Sequence, residues 1–273
     1  MVAALLIFWG PGAAAAQGEI WSIPSSVPNL AMQATVYRPA GKGPFKLAVI
    51  NHGSNEDSGQ REGMSMPEFP ALTDWLVKRG YVVVIPERPG HGATGGPYIE
   101  SQGSCGFPDY VKAGLGTAKS ITVTIDFMTK QPFIKRTGVL VVGNSAGGWG
   151  ALALASQNPA QVSAIVNFAG GRGGRNHNQP DHNCAADRLV AAAAAFGKTS
   201  RLPTLWLYAE NDTYFAPALS RQLADAFVRA GGKAEYHLLP AVGVEGHALI
   251  QAVGKDASWS PVLAAFLRGL PPG

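Results

Sequence analysis

A five-residue glycine motif constrains the fold of this chain more than any other stretch. Gly143-Asn-Ser-Ala-Gly147 follows the apolar run 139–142 and precedes the Ala- and Leu-rich run 148–155. The first run is typical of a buried parallel strand and the second of a helix. The motif therefore predicts a sharp strand-to-helix turn. Glycine at positions 143 and 147 leaves out the Cβ atoms that would collide across such a turn.

The composition fits one large α/β domain. The chain has 273 residues, of which 46% are hydrophobic and 15% charged, so it can bury a substantial core. The net charge of +4 comes without any run of Lys or Arg, which disfavours nucleic-acid binding. We interpret Arg172 and Arg175, in Gly-Gly-Arg-Gly-Gly-Arg, as solvated loop charges. A role in binding a substrate carboxylate is the alternative.

The N-terminal segment resembles an export signal. An apolar stretch over 1–9 ends at Gly10-Pro-Gly12, and four alanines follow at 13–16. An apolar run followed by small residues is typical of a secretory signal, although here no Lys or Arg precedes the run. The run is too short to span a bilayer, so no stable membrane insertion is expected. We expect a signal peptide over 1–16, a single domain over 17–273, and a secreted or periplasmic protein.

The chain has two cysteines, Cys105 and Cys184. In an oxidising compartment they could pair and close a loop of about 80 residues. Two separate buried thiols are the alternative. Their spacing matches no zinc-binding pattern, so cysteine ligation of a metal is not expected.

Strand-like and helix-like segments alternate along the chain. This alternation predicts an α/β fold with a mostly parallel sheet covered by helices on both faces. Strands are predicted at 33–37, 47–51, 81–85, 139–142, 161–167, 204–208 and 235–239, and helices at 69–79, 117–130, 148–155, 217–231 and 259–266. The segment 170–200, rich in Gly, Asn, His and Ala, lies where a small rim or lid insertion is expected.

A serine on such a turn is typical of a catalytic nucleophile. The helix N-terminus that follows it favours developing negative charge, but an aliphatic hydroxyl also needs a base that a carboxylate orients. In the α/β-hydrolase arrangement, which this turn resembles, the acid and then the base follow the serine along the chain. Asp212 follows the strand 204–208, and His247 follows the strand 235–239. Ser145, Asp212 and His247 are therefore the candidate triad.

Other side chains compete for the roles of acid and base. Glu210 lies close enough to Asp212 to be the alternative acid. His237 lies inside a predicted strand, where packing or local pairing is the simpler interpretation. Two of the remaining histidines lie near Asp181, without a third spaced ligand, so no metal site is expected. The histidines that precede the acid, and so break the expected order, are His52, His91, His177 and His182.

The tetrahedral intermediate needs hydrogen-bond donors for its oxyanion. We expect one from the N–H of Ala146, directly after the serine, and one from the N–H of Ser54, which lies after the strand 47–51. Trp149, Tyr214 and Phe215 are candidates to shape a substrate pocket, with ordinary packing as the alternative for each. This chemistry requires no cofactor.

Taken together, these segments resemble the α/β-hydrolase superfamily, in particular its dienelactone-hydrolase-like serine esterases. The resemblance runs from about residue 30 to 268 and rests on the segments 51–54, 86–92, 143–148, 210–212 and 246–247. It implies an α/β-hydrolase fold of about eight strands and hydrolysis through an acyl-enzyme. True dienelactone hydrolases use a cysteine nucleophile, whereas this chain has Ser145, which disfavours dienelactone as the substrate.

We therefore expect a serine carboxylic-ester hydrolase that acts on a small-molecule or polymeric ester. A serine peptidase or amidase on the same fold is the first alternative. A non-catalytic binding protein that retains the fold is the second. The sequence leaves the acyl chain length and the oligomeric state open.

Overall fold

In the computed structural model, which describes residues 17–271, eight strands alternate with seven α-helices. The predicted signal peptide at 1–16 lies outside the described residues. The strands are β1 (Glu19–Pro24), β2 (Ala31–Tyr37), β3 (Lys46–Asn51), β4 (Tyr81–Pro86), β5 (Val139–Asn144), β6 (Val162–Phe168), β7 (Pro203–Ala209) and β8 (Lys233–Leu239). The helices are α1 (Ser58–Glu62), α2 (Pro70–Val77), α3 (Tyr110–Met128), α4 (Ala146–Ala155), α5 (Ala186–Thr199), α6 (Pro217–Arg229) and α7 (Trp259–Gly269).

The eight strands form one sheet in the order β1-β2-β4-β3-β5-β6-β7-β8. The pairs β1–β2 and β2–β4 are antiparallel, and the other neighbouring strands are parallel. The predicted eight-stranded, mostly parallel sheet is confirmed. Because parallel strands share a direction, the loops after β3, β5, β7 and β8 all open at one edge of the sheet.

Two hydrophobic cores lie on opposite faces of the sheet. Along β3, Leu47 and Val49 enter one core while Ala48 and Ile50 enter the other, as alternation along a strand requires. Helices α3, α4, α5 and α6 cover the first face, and α2 and α7 cover the second. Strands buried on both faces explain continuous apolar runs such as the one in β4.

Three elements were not predicted, namely β1, α1 and α5. Within the segment 170–200, helix α5 packs Leu189 and Phe196 into the core, so the rim is confined to the loop 170–185. Helix α3 also begins earlier than predicted, because the Asp109 side chain accepts a hydrogen bond from Lys112 N at 2.9 Å and caps it. Within residues 17–271, no helix is long and apolar enough to cross a membrane.

Candidate active site

Ser145 lies on the turn between β5 and α4 in a strained backbone conformation. Its φ of 55° and ψ of −121° are rare for any residue other than glycine. A Cβ on Gly143 would lie 2.3 Å from the carbonyl carbon of Gly147, and a Cβ on Gly147 would lie 2.3 Å from the carbonyl oxygen of Asn51. The turn therefore requires both glycines, as the motif predicted, and Gly147 also lets α4 approach the end of β3.

The two predicted oxyanion donors lie beside the serine. The first hydrogen bond within α4 runs from Trp149 N to Ser145 O, so the N–H of Ala146 has no partner within the helix. The loop after β3 contacts the serine through Gly53, where a Cβ would lie 3.2 Å from Ser145 Cβ. Ser54, Ser145 and Ala146 line one cavity.

Asp212 and His247 are brought together by the loops after β7 and β8. Asp212 is buried, and its Oδ1 accepts hydrogen bonds from the backbone N–H groups of Tyr214 (2.8 Å) and Phe215 (3.0 Å). Its Oδ2 lies 3.3 Å from His247 Nδ1. Glu210, the alternative acid, is exposed to solvent. The structure thus places Asp212 on the imidazole.

The turn that carries Asp212 is tied to the loop that carries His247. The side chain of Asn211 accepts from Val242 N at 3.0 Å and donates to Val242 O at 3.2 Å. A Cβ on Gly246 would lie 2.6 Å from Asp212 N, so glycine is needed where the two segments meet. This close approach sets the imidazole against the carboxylate.

Tyr214 stacks on the imidazole of His247, with ring centroids 4.1 Å apart and planes inclined by 18°. Tyr214 also lines the cavity that contains Ser145, so the nucleophile and the acid-base pair lie at the same edge of the sheet. Among the hydrogen bonds of the described residues, none joins the Ser145 hydroxyl to His247.

Glu245 holds the His247 loop from the other side, a role that the sequence analysis did not identify. Its Oε1 accepts from the backbone N–H groups of Thr213 (3.0 Å) and His247 (3.1 Å), and its Oε2 lies 3.0 Å from Arg175 Nη1. Burial raises the pKa of Glu245, but these backbone hydrogen bonds and one from the Thr213 hydroxyl outweigh it and hold the pKa below its ordinary value. In the sequence, the position of Glu245 two residues before His247 was the feature that could have indicated this role.

Arg88, Glu100 and Arg172 form a buried arginine cluster behind the loop after β3. Arg88 binds both carboxylate oxygens of Glu100 and donates to His52 O at 2.8 Å, while Arg172 Nη2 donates to Glu100 at 2.7 Å. Burial disfavours the charged form of Glu100, but the two guanidinium groups outweigh it and lower its pKa. Two guanidinium groups on one carboxylate carry a net charge of +1, and a second carboxylate, that of Glu56, lies 3.8 Å from Arg172 Nη1 and offsets it.

The interpretation of Arg172 and Arg175 as solvated loop charges is wrong. The side chain of Arg172 is 1% exposed because Glu100, 72 residues away in the chain, neutralises it. Arg175 is partly buried and paired with Glu245. Neither partner is close in sequence, so the glycine-rich surroundings gave the wrong impression of a solvated loop.

A hydrogen-bond chain runs from the buried arginine cluster to Ser54. The Nδ1 of His91 lies 3.1 Å from Arg88 O, and because a carbonyl oxygen can only accept, Nδ1 carries the proton. The Nε2 of this neutral ring then accepts from the Ser54 hydroxyl at 2.8 Å. Ser54 in turn accepts from Tyr98 at 3.0 Å, and Tyr98 accepts from Arg172 at 2.7 Å.

Both histidines next to Arg88 stay neutral in this environment. Burial and the neighbouring Arg88 lower the pKa of His91 to about 4 and lower that of His52 well below its ordinary value. The Nε2 of His52 accepts from Arg88 N at 3.1 Å, so its Nδ1 donates to Gly53 O at 2.5 Å. These contacts fix the loop that carries Ser54.

The cavity beside Ser145 has a volume of about 650 Å³. Its walls come from the loop after β3, the start of α4, the rim loop 170–185 and the turn after Asp212. Tyr214 and Phe215 line it, whereas Trp149 does not: that indole is fully buried, donates to Tyr110 O at 2.8 Å and packs on Phe196. The prediction of a substrate-contacting Trp149 is therefore wrong, and packing is its role.

The remaining histidines are His177, His182 and His237. His237 pairs with Glu235 at 2.7 Å within β8, in line with the local pairing expected for it. His177 lines the cavity and His182 lies in the rim loop. Among residues 17–271, no group of three His, Cys, Asp or Glu side chains is arranged to hold a metal ion.

Cys105 and Cys184 form a disulfide that spans 79 residues of sequence. It joins the loop before α3 to the rim loop, and Cys184 itself lines the cavity. The N–H of Cys184 also donates to Gly173 O at 2.8 Å. The bond therefore fixes one wall of the site, and disulfides of this kind are typical of an oxidising compartment.

Known proteins resemble this chain in fold. The model of the alpha/beta hydrolase family matches residues 52–272, whereas no curated protein matches the sequence. An esterase of Pyrococcus furiosus superimposes with a TM-score of 0.64 at 14% identity, with 97% of each chain covered. A candidate dienelactone hydrolase of Klebsiella pneumoniae gives 0.58 at 19% identity, covering 92% of this chain and 98% of that one.

A puromycin-hydrolysing peptidase of Mycobacterium tuberculosis gives a TM-score of 0.66 at 15% identity, covering 94% of this chain but 39% of the peptidase. The family match spans most of the sequence, and the sheet order with its strained serine turn agrees with it. The chain therefore belongs to the alpha/beta hydrolase family.

Proposed function

We propose that this hydrolase cleaves carboxylic esters with Ser145 as nucleophile, His247 as base and Asp212 as the group that orients the base. The observation that carries the proposal is the Asp212–His247 contact of 3.3 Å at the sheet edge where Ser145 sits on its strained turn. A nucleophile, a base and an orienting carboxylate are the components that acyl transfer requires. The esterase of similar fold supports the same reaction class.

In this mechanism the Ser145 oxygen attacks the ester carbonyl while His247 Nε2 takes the hydroxyl proton. The N–H groups of Ala146 and Ser54 stabilise the oxyanion of the tetrahedral intermediate. His247 then returns the proton to the leaving alcohol, and a water molecule hydrolyses the acyl-enzyme by the same steps. The proposal requires Ser145 Oγ and His247 Nε2 to approach to about 2.6–3.2 Å in the complex with substrate.

Amide hydrolysis is the second candidate, and the fold shared with the puromycin-hydrolysing peptidase favours it. The same residues would act, but the leaving amine needs protonation earlier than an alcohol does. A short ester and the matched anilide, p-nitrophenyl acetate and p-nitroacetanilide, separate the two reactions. We expect the ester to be hydrolysed much faster.

Substitution of the nucleophile tests the mechanism. Ser145→Ala is expected to lower kcat for p-nitrophenyl acetate by roughly four to six orders of magnitude and to abolish labelling by a fluorophosphonate probe. Ser22→Ala, an exposed serine on the edge strand β1, is the matched control and should change neither. Turnover that survives Ser145→Ala unchanged would exclude the mechanism. Absence of labelling in the wild-type protein would favour a non-catalytic binding role.

We also propose that the protein works after export. The support is the Cys105–Cys184 disulfide together with the signal-like sequence at 1–16. Fractionation of cells that express the full chain, followed by mass spectrometry of the N-terminus, is the test. Export predicts a protein outside the cytoplasm that begins near Gln17.

A further inference from the structure

The wall of the cavity beside Ser145 is unusual for an enzyme that binds a fatty acyl chain. Among residues 17–271, none of those that line the cavity is Leu, Ile, Val or Met, and most carry polar or charged side chains. We propose, on the basis of the proposed function, that the substrate is a short-chain ester of a neutral alcohol that carries several hydroxyl groups, such as a polyol or sugar.

The acyl group is short because the apolar part of the wall is small. It consists of Ala146, Phe215, Tyr214 and the disulfide sulfur region of Cys184. The Phe215 ring packs against the backbone at Gly171. A Cβ added to Gly171 would lie 2.5 Å from that ring. Each methylene moved from water into an apolar site tightens binding roughly fourfold. A longer acyl chain finds no such environment here, so it gains nothing from its length.

The alcohol is neutral because the cationic side chains of the wall are already paired. Arg172 is bound by Glu100 at 2.7 Å, and Arg175 is bound by Glu245 at 3.0 Å. Glu100 is shared with Arg88, and a second carboxylate near Arg172 is that of Glu56, whose Oε1 lies 3.8 Å from Arg172 Nη1. Asp57 is a further, exposed carboxylate of the wall. It would repel an anionic substrate, whereas it can accept hydrogen bonds from hydroxyl groups.

Carboxamide side chains supply the recognition of hydroxyls. Among the described residues, the amides of Gln102, Asn176 and Asn178 make no hydrogen bond, and all three residues line the cavity. Gln102 is 4% exposed, and its Oε1 is buried without a partner. An amide offers both a donor and an acceptor, which matches a hydroxyl group that does both. A hydroxylated alcohol would donate to the buried Gln102 oxygen, whereas an alkyl alcohol would leave that oxygen unpaired. Asn176, which is partly exposed, and Asn178, which is exposed, would exchange water for the hydroxyl groups of the alcohol.

Two substrate series test the inference on the wild-type protein. With p-nitrophenyl acetate, butyrate and octanoate, we expect kcat/KM to stay level or fall from acetate to octanoate, because the longer chain finds no apolar wall to enter. With acetates of different alcohols, we expect glycerol monoacetate and methyl 6-O-acetylglucoside to exceed ethyl acetate at least about tenfold. A rise in kcat/KM with acyl length, or equal values for the polyol acetates and ethyl acetate, would overturn the inference.

Substitutions in the cavity wall test which side chains recognise the alcohol part of the substrate. Gln102→Met and Asn176→Leu are expected to lower the ratio of kcat/KM for methyl 6-O-acetylglucoside to kcat/KM for p-nitrophenyl acetate about fivefold or more. Gln157→Met, an exposed residue after α4, is the matched control and should change neither substrate. Equal losses on both substrates in Gln102→Met and Asn176→Leu would overturn the role of these amides.

Two further outcomes separate this inference from the proposed function. Faster hydrolysis of ethyl 3-hydroxybutyrate than of ethyl butyrate, with no advantage for the polyol acetates, would place the hydroxyl on the acyl side and overturn the inference. Fluorophosphonate labelling of Ser145 would still stand in that case. Failure of every ester together with no labelling would overturn the proposed function and the inference with it.

Discussion

His91, which contacts the loop after β3, and His247, in the loop after β8, lie in different environments, and the difference shows what makes an imidazole usable as a base. His91 is fully buried, its Nδ1 faces carbonyl oxygens, and its Nε2 is occupied by the Ser54 hydroxyl. His247 is partly exposed, its Nδ1 faces the carboxylate of Asp212, and it stacks on Tyr214 at the cavity. A carboxylate stabilises the imidazolium that forms during proton transfer, whereas Arg88 beside His91 opposes it.

In the proposed mechanism, the two environments serve different functions. The buried side, with its arginine cluster and neutral histidines, fixes the loop that offers the Ser54 N–H. In that proposed mechanism, the open side holds the groups that exchange protons. A change on the buried side should therefore act mainly on stability and oxyanion binding, and a change on the open side on the rate of chemistry.

The largest expected effect distinguishes the two histidines directly. His247→Asn should lower kcat for p-nitrophenyl acetate by roughly four to six orders of magnitude, because the base is lost. His91→Asn should cause a far smaller loss, since it only loosens the anchor of Ser54. Steady-state kinetics on both variants is the measurement. Equal losses would contradict the assignment of His247 as the base.

The next effect concerns the group that orients the base. Asp212→Asn should lower kcat by about 10⁴, because the amide favours the wrong imidazole tautomer and cannot stabilise the imidazolium. Glu210→Gln, at an exposed position two residues earlier, is the matched control and should retain activity. If Glu210→Gln caused the greater loss of kcat, the choice between the two acids would be reversed.

The Cys105–Cys184 disulfide joins the loop before α3 to the rim loop 170–185. Its removal therefore tests how much this bond stabilises that wall of the cavity. Replacing Cys105 and Cys184 together by serine should lower the free energy of unfolding by about 4 kcal/mol, given a closed loop of 79 residues. Urea denaturation of the variant is the measurement, with the reduced wild-type protein as control. Both should lose a similar amount, and a loss below about 1 kcal/mol would mean that other contacts hold the wall.

The smallest expected effect is the acid sensitivity of the buried side. The pKa of His91 is lowered to about 4, so the unfolded chain binds this proton more tightly than the folded protein does. Stability should therefore fall as the pH drops from about 6.5 to about 4, by roughly 3 kcal/mol for His91. His52 acts in the same direction. Glu100, whose pKa is also lowered, loses its contribution only below about pH 4.5.

Urea denaturation at several pH values tests this acid sensitivity. His91→Asn should show a shallower loss of stability than the wild-type protein over the range from about pH 6.5 to 4. Gln157→Met serves as a control with the wild-type slope. A slope in His91→Asn that matches the wild type would show that His91 does not titrate in this range.

Local patterns predicted the sheet and the placement of the candidate triad. The strand ends before Ser145 and Asp212 were visible because buried parallel strands are continuous apolar runs. The strand before His247, β8, is a partly exposed edge strand in which polar and apolar residues are mixed. The glycines of the serine turn were also predictable, since their need follows from the geometry of the turn itself. Such features depend on residues close together in the chain.

Features that depend on distant partners were not predicted. Arg172 is buried only because Glu100 meets it across the fold, and nothing in its glycine-rich neighbourhood indicates this. The start of α3 was not predicted because Gly114 lowers helix propensity. The same glycine lets α3 pack against α5, because a Cβ there would lie 2.9 Å from the Phe196 ring. The position of β1 depends on pairing with β2 rather than on its own half-exposed sequence.

The structure of a covalently trapped protein tests the central claim most directly. Reaction with diethyl p-nitrophenyl phosphate should leave a diethyl phosphoryl group on Ser145. In a crystal structure of this adduct, we expect the phosphoryl oxygen to accept hydrogen bonds from Ala146 N and Ser54 N, with His247 Nε2 within about 3.2 Å of Ser145 Oγ. An adduct on another residue, or an imidazole that stays more than about 5 Å from the modified oxygen, would contradict the account.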